Sequence, residues 1–427
     1  MLDIRFVRES PDAVRENLRK RGLPEKIEEL DRLLSLDSKW RETLAEADRL
    51  RRTRNEITQK IAEAHKKGGD TASLLKQAET IPERIKELEA NVDQYKAQVE
   101  TILLNLPNMV HESVPFGKDD NDNQELKKWG ELPKFNFKPL DHIEIGERHH
   151  LIDLESAARV AGARFYYLQE DLVRLNYSLI QYGLDFIKNK HYRLYQPPYF
   201  LHKNIIAGAV ALSDFEDTIY KVESEDLFLL PTAEHALLAL HNDGIIELDQ
   251  LPLRYAGVSP CFRKEAGAHG RDTKGIFRTH QFEKVEQFIF STPEDSWKLH
   301  EELLNNAEEF WQSLRIPYRV VNVCTGDPGT VAAKKYDVEA WLPGQGKYRE
   351  VVSCSNCTSY QAVRSKVRYR EKTNAPTKYV HTLNSTLVAT ERAIVAILEN
   401  KQRADGTIEI PGVLQHYVGG QTSIPSA

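Results

Sequence analysis

Residues 261–286 read CFRKEAGAHGRDTKGIFRTHQFEKVE, the part of the chain richest in candidate functional residues. Its two ends alternate between apolar and polar residues like two β-strands, whereas its middle is charged and rich in glycine. The pattern predicts a long hairpin with cations at its base. Arg263 and Arg278 could hold the phosphates of ATP, Phe282 could stack under adenine, and Glu265 could accept a proton of the adenine amino group. A solvated hairpin with cross-strand ion pairs is the alternative.

The chain around this hairpin predicts an α+β domain from about Phe135 onward. Short apolar runs separated by turns favour a mainly antiparallel sheet flanked by helices. The predicted strands include 163–168, 227–230 and 282–290, and the predicted helices include 172–189, 293–314 and 387–400. The sequence contains neither GxGxxG nor GxxxxGK[ST]. Nucleotide-binding folds built on those loops are therefore not supported, and any ATP must be bound in another way.

The first hundred residues have a different pattern, typical of long helices. Apolar residues recur at alternating spacings of four and three, which is the seam of a coiled coil. In the second half they are Leu74, Ala78, Ile81, Ile85, Leu88, Val92, Tyr95, Val99 and Ile102. The first half follows the pattern more loosely, with Trp40, Leu44, Ala47, Leu50, Ile57, Ile61 and Ala64. Gly68 and Gly69 between the halves can end a helix, so the sequence predicts an antiparallel helical hairpin.

Two details of this hairpin are left open by the sequence. Pro82 should either kink the second helix or mark where it begins, with Thr80 as a candidate cap. The hairpin could be a dimerisation or spacer coiled coil, or it could be an arm that contacts RNA. Cations for RNA phosphates would come from Arg49, Arg51, Arg52, Arg54 and Lys60. Forty helical residues would span roughly 60 Å, so the hairpin is expected to project.

Composition narrows the class of protein. The 427 residues are 41% hydrophobic and 29% charged, which is ordinary for a globular chain, and the net charge of -6 requires that nucleic acid be bound by local patches. No apolar run approaches the ~18 residues of a membrane span, and the start MLDIRFVRESPDAV lacks the apolar core of a secretory signal. Four cysteines do not suggest a disulfide framework. We therefore expect a cytoplasmic protein without a membrane partner.

Five segments together resemble the seryl-tRNA synthetase family of class II aminoacyl-tRNA synthetases. The ends of the quoted stretch, Phe262–Glu265 and Arg278–Phe282, look like motif 2. Pro231–Glu234 resembles the family's serine-binding loop, and Tyr348–Cys357 resembles its second ATP-contacting strand with the turn that follows. The others are His381–Asn384 with Glu391 and Arg392, similar to motif 3, and the surroundings of Pro197 and Pro198, similar to motif 1. Residues 384–390 are closer to archaeal and eukaryotic members than to bacterial ones.

The resemblance implies that the chain activates L-serine with ATP to seryl-adenylate and transfers serine to the 3′ end of tRNA(Ser). Use of tRNA(Sec) is left open. The implied serine-binding residues are Thr232, Ala233, Glu234, Arg263, Glu286, Asn384 and Thr386. Glu234 would hold the amino group and Glu286 the hydroxyl, although Glu286 could instead be a strand carboxylate paired with Lys284. Which of Asn384, Ser385 and Thr386 contacts the serine side chain is also open.

For ATP the resemblance implies a second set of residues. They are Arg263, Lys264, Glu265, Arg278, Thr279, Phe282, Glu350, Val351, Val352, Ser353 and Arg392, with Arg263, Glu265 and Arg392 as the catalytic ones. Arg392 would lie on the face of adenine opposite Phe282. Glu350 and Ser353 would hold Mg²⁺ through hard oxygen ligands. Zinc is not expected, because the single pair Cys354 and Cys357 lacks a second close pair.

The resemblance also implies partners and a division of the chain. Residues 1–104 would form a tRNA-binding domain whose arm contacts tRNA(Ser), residues 105–134 a linker, and residues 135–427 the catalytic domain. A homodimer would form through motif 1 near Pro198. RNA bound by such an arm would be recognised mainly by shape and backbone.

Three other functions compete with this interpretation. A threonyl or prolyl enzyme usually carries a C-terminal anticodon-binding domain, whereas thirty-five residues follow Arg392 here. An enzyme that activates an amino acid for a carrier protein would lack the long arm. A non-catalytic regulator would be expected to lose one of Arg263, Glu265, Glu286 or Arg392, and all four are present.

Overall fold

The structure, a computed structural model, describes residues 1–210, 218–265 and 274–425. It divides into two units, Leu2–Leu106 and a second that joins Met1 to Pro107–Ala427. The helices of the first unit are Ile4–Glu9, Pro11–Lys20, Lys26–Lys66, Ala72–Glu79 and Ile81–Asn105. Those described in the second unit are His142–Arg148, Leu154–Ala161, Asp171–Asn189, Lys203–Ala209, Ala233–Ala239, Ser296–Ser313, Tyr360–Ser365, Thr390–Asn400 and Gly412–Gln415.

The first unit contains the predicted helical hairpin. Its seam is an apolar cluster in which Ile57 packs with Ile81 and Ile85, and Leu50, Ile61, Leu74 and Ala78 surround them. The second half is not one helix, because the short helix Ala72–Glu79 ends before Ile81. Pro82 marks the start of the following helix, where its missing N–H costs no hydrogen bond. Thr80 occupies the cap position, but its side chain makes no capping hydrogen bond.

The strands of the second unit are numbered in chain order. They are β1 Gln124–Trp129, β2 Ile152–Asp153, β3 Tyr167–Leu168, β4 Arg193–Tyr195, β5 Phe200–Leu201, β6 Phe228–Leu229, β7 Ile245–Glu247, β8 Leu253–Phe262, β9 Gln281–Ser291, β10 Tyr318–Asn322, β11 Lys334–Leu342, β12 Lys347–Thr358, β13 Arg368–Arg370, β14 Lys378–Tyr379, β15 His381–Ala389, β16 Ile408–Glu409 and β17 Ser423–Ile424. Eight of them form one sheet in the order β1-β10-β11-β12-β15-β9-β8-β4.

This sheet confirms the predicted fold class. Its neighbouring strands are antiparallel, except that β4 lies parallel to β8. The two ends of the stretch 261–286 fall on β8 and β9, which pair from Leu253 opposite Phe290 to Phe262 opposite Gln281. Helices Asp171–Asn189, Ser296–Ser313 and Thr390–Asn400 contribute side chains to the main core cluster together with these strands.

Three predicted elements differ from the observed ones. The interval 105–134, predicted as a linker, includes β1, which pairs with β10 at the edge of the sheet. The helix predicted from Leu387 begins only at Thr390, because residues 381–389 form β15 between β9 and β12. Tyr348–Cys357, predicted as a strand with the turn that follows, lies entirely within one strand, since β12 runs from Lys347 to Thr358. In each case pairing with a distant strand decides the local structure, and a local pattern does not contain that information.

Candidate active site

A cavity of about 200 Å³ lies against three adjacent strands, β9, β15 and β12. Its lining comes from five separate segments of the chain. The lining residues are Glu234, Arg263, Phe282, Lys284, Glu286, Glu350, Val351, Ser353, Asn384, Thr386, Ala389 and Arg392. Side chains predicted from four of the sequence motifs therefore meet in one space.

The base of the β8–β9 hairpin forms one wall of the cavity. Arg263 follows β8 directly, and its guanidinium lies over the ring of Phe282 with its centre 5.1 Å from the ring centroid. Its Nε donates a hydrogen bond to the carbonyl oxygen of Pro231, 3.2 Å away. The cation is thus held between the start of the hairpin and the segment 231–234 by one hydrogen bond and one aromatic face.

Beyond Arg263 the two arms of the hairpin are joined by an ion pair. Arg278 Nη1 donates to Glu265 Oε2 at 2.8 Å, and Glu265 has a positive φ of 49°. Lys264 donates its backbone N–H to the carbonyl oxygen of Thr218. Glu265 and Arg278, with Thr279, border a small slot next to the cavity. The middle of the predicted loop, 266–273, lies outside the described residues.

Arg392 and Glu350 form the opposite wall. Arg392 is the third residue of helix Thr390–Asn400, and its Nη1 donates to Glu350 Oε1 at 3.2 Å and to the Glu350 carbonyl oxygen at 3.0 Å. Burial favours the neutral form of Glu350, but the charges of Arg392 and Lys335 outweigh it and lower its pKa. The guanidinium of Arg392 lies over the ring of Phe277, 5.1 Å from its centroid.

The segment 231–234 presents a carboxylate to the cavity from a helix start. Thr232 caps helix Ala233–Ala239, and its Oγ1 accepts the backbone N–H of Glu234 at 3.4 Å. Glu234 Oε1 accepts hydrogen bonds from Gln361 Nε2 at 2.6 Å and Asn384 Nδ2 at 3.2 Å. Burial, followed by the nearby charge of Glu286, raises the pKa of Glu234 to about 7.

A second carboxylate lies deeper in the cavity on β9. Glu286 is buried, and its Oε2 pairs with Lys284 Nζ at 2.5 Å. Thr386 Oγ1 donates to the same oxygen at 3.4 Å, across the pair that Glu286 and Thr386 form between β9 and β15. The ion pair that the sequence offered as an alternative is therefore present within the cavity itself.

Comparison with known proteins gives the family. Residues 1–110 match the family described as the seryl-tRNA synthetase N-terminal domain, and residues 220–401 match the tRNA synthetase class II core domain (G, H, P, S and T). A serine–tRNA ligase of Nitrosopumilus maritimus strain SCM1 is 53% identical over 99% of this chain and 100% of its own length. The chain belongs to the seryl-tRNA synthetase family.

Solved structures of seryl-tRNA synthetases have the same fold as this chain. A crystal structure of the Pyrococcus horikoshii enzyme complexed with ATP has a TM-score of 0.95 at 49% identity and covers 100% of both chains. A cytoplasmic serine–tRNA ligase from Naegleria fowleri in complex with AMP has a TM-score of 0.89 at 36% identity, over 100% of this chain and 99% of its own. The predicted family and fold class are both confirmed.

Several residues that the resemblance to seryl-tRNA synthetases marks do not line the cavity. Thr232 and Ala233 are buried next to it, and Val352 is buried in the main core cluster. Thr279 borders the neighbouring slot. Side chains alternate along β12, so Val351 and Ser353 reach the lining while Val352 between them does not. Pro197 and Pro198 lie between β4 and β5.

The cysteine pair of this family member is part of β12. Cys354 and Cys357 are both buried, and Cys357 Sγ accepts a hydrogen bond from Asn384 Nδ2 at 3.4 Å. In residues 1–210, 218–265 and 274–425, no group of three or more His, Cys, Asp or Glu side chains is arranged to hold a metal ion. Within the same ranges no helix is both long and apolar enough to cross a membrane.

Two residues that contact the site were missed by sequence reasoning. Gln361 holds Glu234 from a helix on which no motif falls. Phe277 carries the guanidiniums of both Arg392 and Arg349. An aromatic residue next to Arg278 in the quoted stretch was a usable signal for Phe277, whereas nothing in the sequence around Gln361 indicates its contact.

Proposed function

We propose that the cavity against β9, β15 and β12 is where this serine–tRNA ligase activates L-serine with ATP. The observation that carries the proposal is the meeting of Glu234, Glu286 and Arg263 in one cavity. Two carboxylates suit an ammonium group and a hydroxyl, and the guanidinium suits the carboxylate and phosphate that react. Serine carries the first three of these groups, and ATP supplies the phosphate.

The proposed serine site uses the two carboxylates differently. Glu234 binds the amino group, because its Oε1 is already held by two neutral amide donors and no residue that the structure describes forms a direct ion pair with it. Glu286 accepts the serine hydroxyl, with Thr386 and Asn384 completing the pocket. A site that buries acceptors for a hydroxyl rejects alanine, because those acceptors would be left without a partner.

The proposed ATP site lies between the hairpin base and helix Thr390–Asn400. Arg263 contacts the α-phosphate and Arg278 the outer phosphates, while adenine enters the slot bordered by Phe282, Thr279 and Arg392. The pairs Arg278–Glu265 and Arg392–Glu350 would have to open to release these cations for ATP. We infer that ATP exchanges these internal ion pairs for contacts with its phosphates and base.

Mg²⁺ is proposed to be held by Glu350 and Ser353. Both side chains line the cavity on β12 and offer the hard oxygen ligands that this ion prefers. Arg392 engages Oε1 of Glu350, and its charge helps to keep the carboxylate ionised. When bound, the ion neutralises phosphate charge. The chain's own residues then orient the reactants: Arg263 holds a serine carboxylate oxygen in line with the α-phosphorus.

The reaction needs no nucleophilic side chain. An oxygen of the serine carboxylate forms a bond to the α-phosphorus as the bond to the β-phosphate oxygen breaks, which gives seryl-adenylate and pyrophosphate. The terminal adenosine hydroxyl of tRNA then attacks the activated carbonyl and releases AMP.

We propose that the hairpin of residues 26–105 binds tRNA(Ser), that a homodimer forms near Pro198, and that the enzyme works in the cytoplasm. The match of residues 1–110 to the seryl-tRNA synthetase N-terminal domain supports the proposed tRNA binding. The proposed cytoplasmic location is supported by the Naegleria fowleri relative, which is described as cytoplasmic.

The test of the activation step is amino-acid-dependent exchange between ATP and pyrophosphate with serine, threonine, alanine and glycine in parallel. Serine alone should support exchange. Exchange with a different amino acid would contradict the proposed pocket, and no exchange from folded protein with Mg²⁺ would contradict the proposed site as a whole.

A further inference from the structure

Gln361 lies on helix Tyr360–Ser365 and is completely buried. It contacts Glu234 without lining the cavity itself. Its Nε2 donates to Glu234 Oε1 at 2.6 Å and to the carbonyl oxygen of Ala209 at 3.2 Å. Its Oε1 accepts the hydroxyl of Thr382 at 2.7 Å. Because Glu234 and Ala209 offer only acceptors on that side, the orientation of the amide is fixed.

Every polar atom of this amide is therefore used. Rotating the amide by half a turn would set its oxygen against the oxygens of Glu234 and Ala209, so the alternative orientation is excluded. Gln361 does not line the cavity, whereas Asn384, the other amide donor to Glu234, does. Among the contacts of Gln361 that the structure describes, the one with Glu234 connects it to the cavity lining.

Opposing influences act on the ionisation of the Glu234 carboxyl. Burial and the negative charge of Glu286 both favour its neutral form, while Lys284 and Arg263 favour the ionised form. The buried thiol of Cys357, on β12, also faces it. In such a balance a short hydrogen bond from a neutral donor to the carboxylate decides which form is present near neutral pH.

We propose that Gln361 is a positioning residue that keeps Glu234 ionised and aimed at the cavity, and so sets the affinity for the amino group of serine. The inference rests on the proposed role of Glu234. Gln361 also ties that carboxylate to the carboxyl end of helix Lys203–Ala209 through the Ala209 carbonyl, so the position of Glu234 is fixed relative to two helices.

The first test is Gln361→Met, which keeps the volume and removes both donors. Removing a donor from the ionised form raises the pKa of Glu234, so less of the carboxylate is charged near pH 7. If the pKa rises by about one unit from about 7, the ionised fraction at pH 7 falls from about one half to about one eleventh, so we expect the KM for serine in pyrophosphate exchange to rise about fivefold there. It should recover towards the wild-type value as the pH is raised, while the KM for ATP changes less than about twofold.

A milder variant and a matched control accompany it. Thr382→Val removes the hydroxyl that fixes the amide, and it should shift the pH profile in the same direction by a smaller amount. Gln287→Met removes another fully buried glutamine, whose Nε2 donates to the Leu303 carbonyl, and it should leave both KM values unchanged. If Gln361→Met does not fold, the Thr382→Val variant is the test. An unshifted pH profile of the KM for serine in Thr382→Val would then overturn the proposal.

The outcomes separate this inference from the proposed function. Equal rises in the KM for serine and for ATP, without pH dependence, would mean that Gln361 is only structural and would overturn the inference. Glu234→Gln is measured alongside. A raised serine KM in that variant with an unshifted profile for Gln361→Met overturns the inference alone, whereas an unchanged serine KM in Glu234→Gln overturns the proposed role of Glu234 itself.

Discussion

Glu286 has a geometry that is compatible with two roles, the proposed contact with serine and the ion pair with Lys284, which the sequence presented as alternatives. A carboxylate has two oxygens, and Oε2 receives Lys284 and Thr386 while Oε1 receives no hydrogen bond from the described residues. Because Lys284 and Glu286 are both almost fully buried, each charge depends on the other for compensation. The ion pair therefore supports the proposed contact with serine instead of competing with it.

Replacing Glu286 by Gln tests this arrangement. The change removes the charge that compensates Lys284 and weakens the acceptor for the serine hydroxyl, so kcat/KM for serine should fall about a hundredfold or more. Pyrophosphate exchange with serine and alanine measures the loss and the change in discrimination. Glu302→Gln is the control, since it breaks the pair Arg254–Glu302, which does not line the cavity. A similar loss in both variants would contradict a specific role.

The raised pKa of Glu234 predicts a pH dependence. With a pKa of about 7, the carboxyl is neutral below that pH and binds an ammonium group poorly. The value of kcat/KM for serine should therefore decline as the pH falls through about 7 and level off above it. Exchange rates measured across two pH units on either side of 7 check this. The KM for ATP serves as the reference, and a flat profile for serine would contradict the proposed role of Glu234.

At the scale of elements, the return arm of the β8–β9 hairpin is fixed at its base by a close contact. Gly275 has a positive φ of 75°, and a Cβ there would overlap the imidazole of His142. His142 Nε2 accepts the backbone N–H of Ile276, so Nδ1 carries the hydrogen and donates to Glu399 at 3.0 Å. This contact fixes the chain directly before Phe277, on which Arg392 lies.

Gly275→Ala should therefore impair the use of ATP. The added methyl group must displace His142 or Ile276, which moves Phe277 and Arg392, and a displacement of about 1 Å can cost up to a hundredfold in rate. We expect the KM for ATP to rise more than the KM for serine. Gly329→Ala is a matched control, because its φ of 71° imposes similar backbone strain and a Cβ there meets nothing within 4 Å. Equal effects of the two substitutions would contradict the steric explanation.

The start of helix Thr390–Asn400 depends on a buried carboxyl. Glu391 accepts the hydroxyl of Tyr166 at 2.5 Å and the backbone N–H of Glu283 at 3.0 Å. Burial, partly offset by these hydrogen bonds, raises the pKa of Glu391 to about 7. Because this pKa lies above that of the unfolded chain, the group's contribution to stability is complete at low pH and is lost as the pH rises through about 7.

Tyr166→Phe should raise that pKa further, because the hydroxyl stabilises the charged form. The loss of stability should be about 1–3 kcal/mol above pH 7 and smaller one unit below it. Thermal unfolding at the two pH values measures the difference. Tyr417→Phe is the control, since its hydroxyl bonds to the exposed Asp185 and should cost little at either pH. A loss that does not depend on pH would contradict the assignment to Glu391.

At the scale of the whole molecule, the five predicted tRNA-contacting cations of the first unit are not equivalent. Arg51 pairs with Asp48 at 2.6 Å and with Glu89 of the facing helix at 2.7 Å, so it already contributes to the hairpin. Arg49, Arg54 and Lys60 are exposed and make no such ion pairs within the described residues. The latter three are better placed to reach RNA phosphates.

Replacing Arg49, Arg54 and Lys60 together by Ala should weaken tRNA binding and leave serine activation unchanged. Each lost phosphate contact should reduce the magnitude of the slope of log affinity against log salt by about 0.7–0.9, so a decrease of about 2 to 3 is expected for three. Filter binding at several salt concentrations measures the slope, with Arg51→Ala as a control of smaller effect.

Deleting residues 26–102 should abolish the charging of tRNA and preserve pyrophosphate exchange. Loss of both in folded protein would contradict a separate tRNA-binding unit.

The amino-acid sequence by itself determined the fold class, the helical hairpin and the family. The period of the apolar residues between Leu74 and Ile102 gives the hairpin, and the alternation at both ends of 261–286 gives β8 and β9. These are local properties, since the side chains that define them are neighbours along the chain. The sequence also singled out Glu234, Arg263, Glu286 and Arg392 as candidate site residues. It did not give the distances between them or their hydrogen-bond partners.

Only the tertiary structure decided how those residues interact. Gln361 reaches Glu234 across more than a hundred residues, and the guanidinium of Arg392 lies over Phe277, a contact that the sequence did not indicate. Pairing between β9 and β15 extends the strand to Ala389, where local propensity predicted a helix. Contacts between distant segments depend on strand order and register, which hydrogen bonding and burial fix for the whole sheet at once.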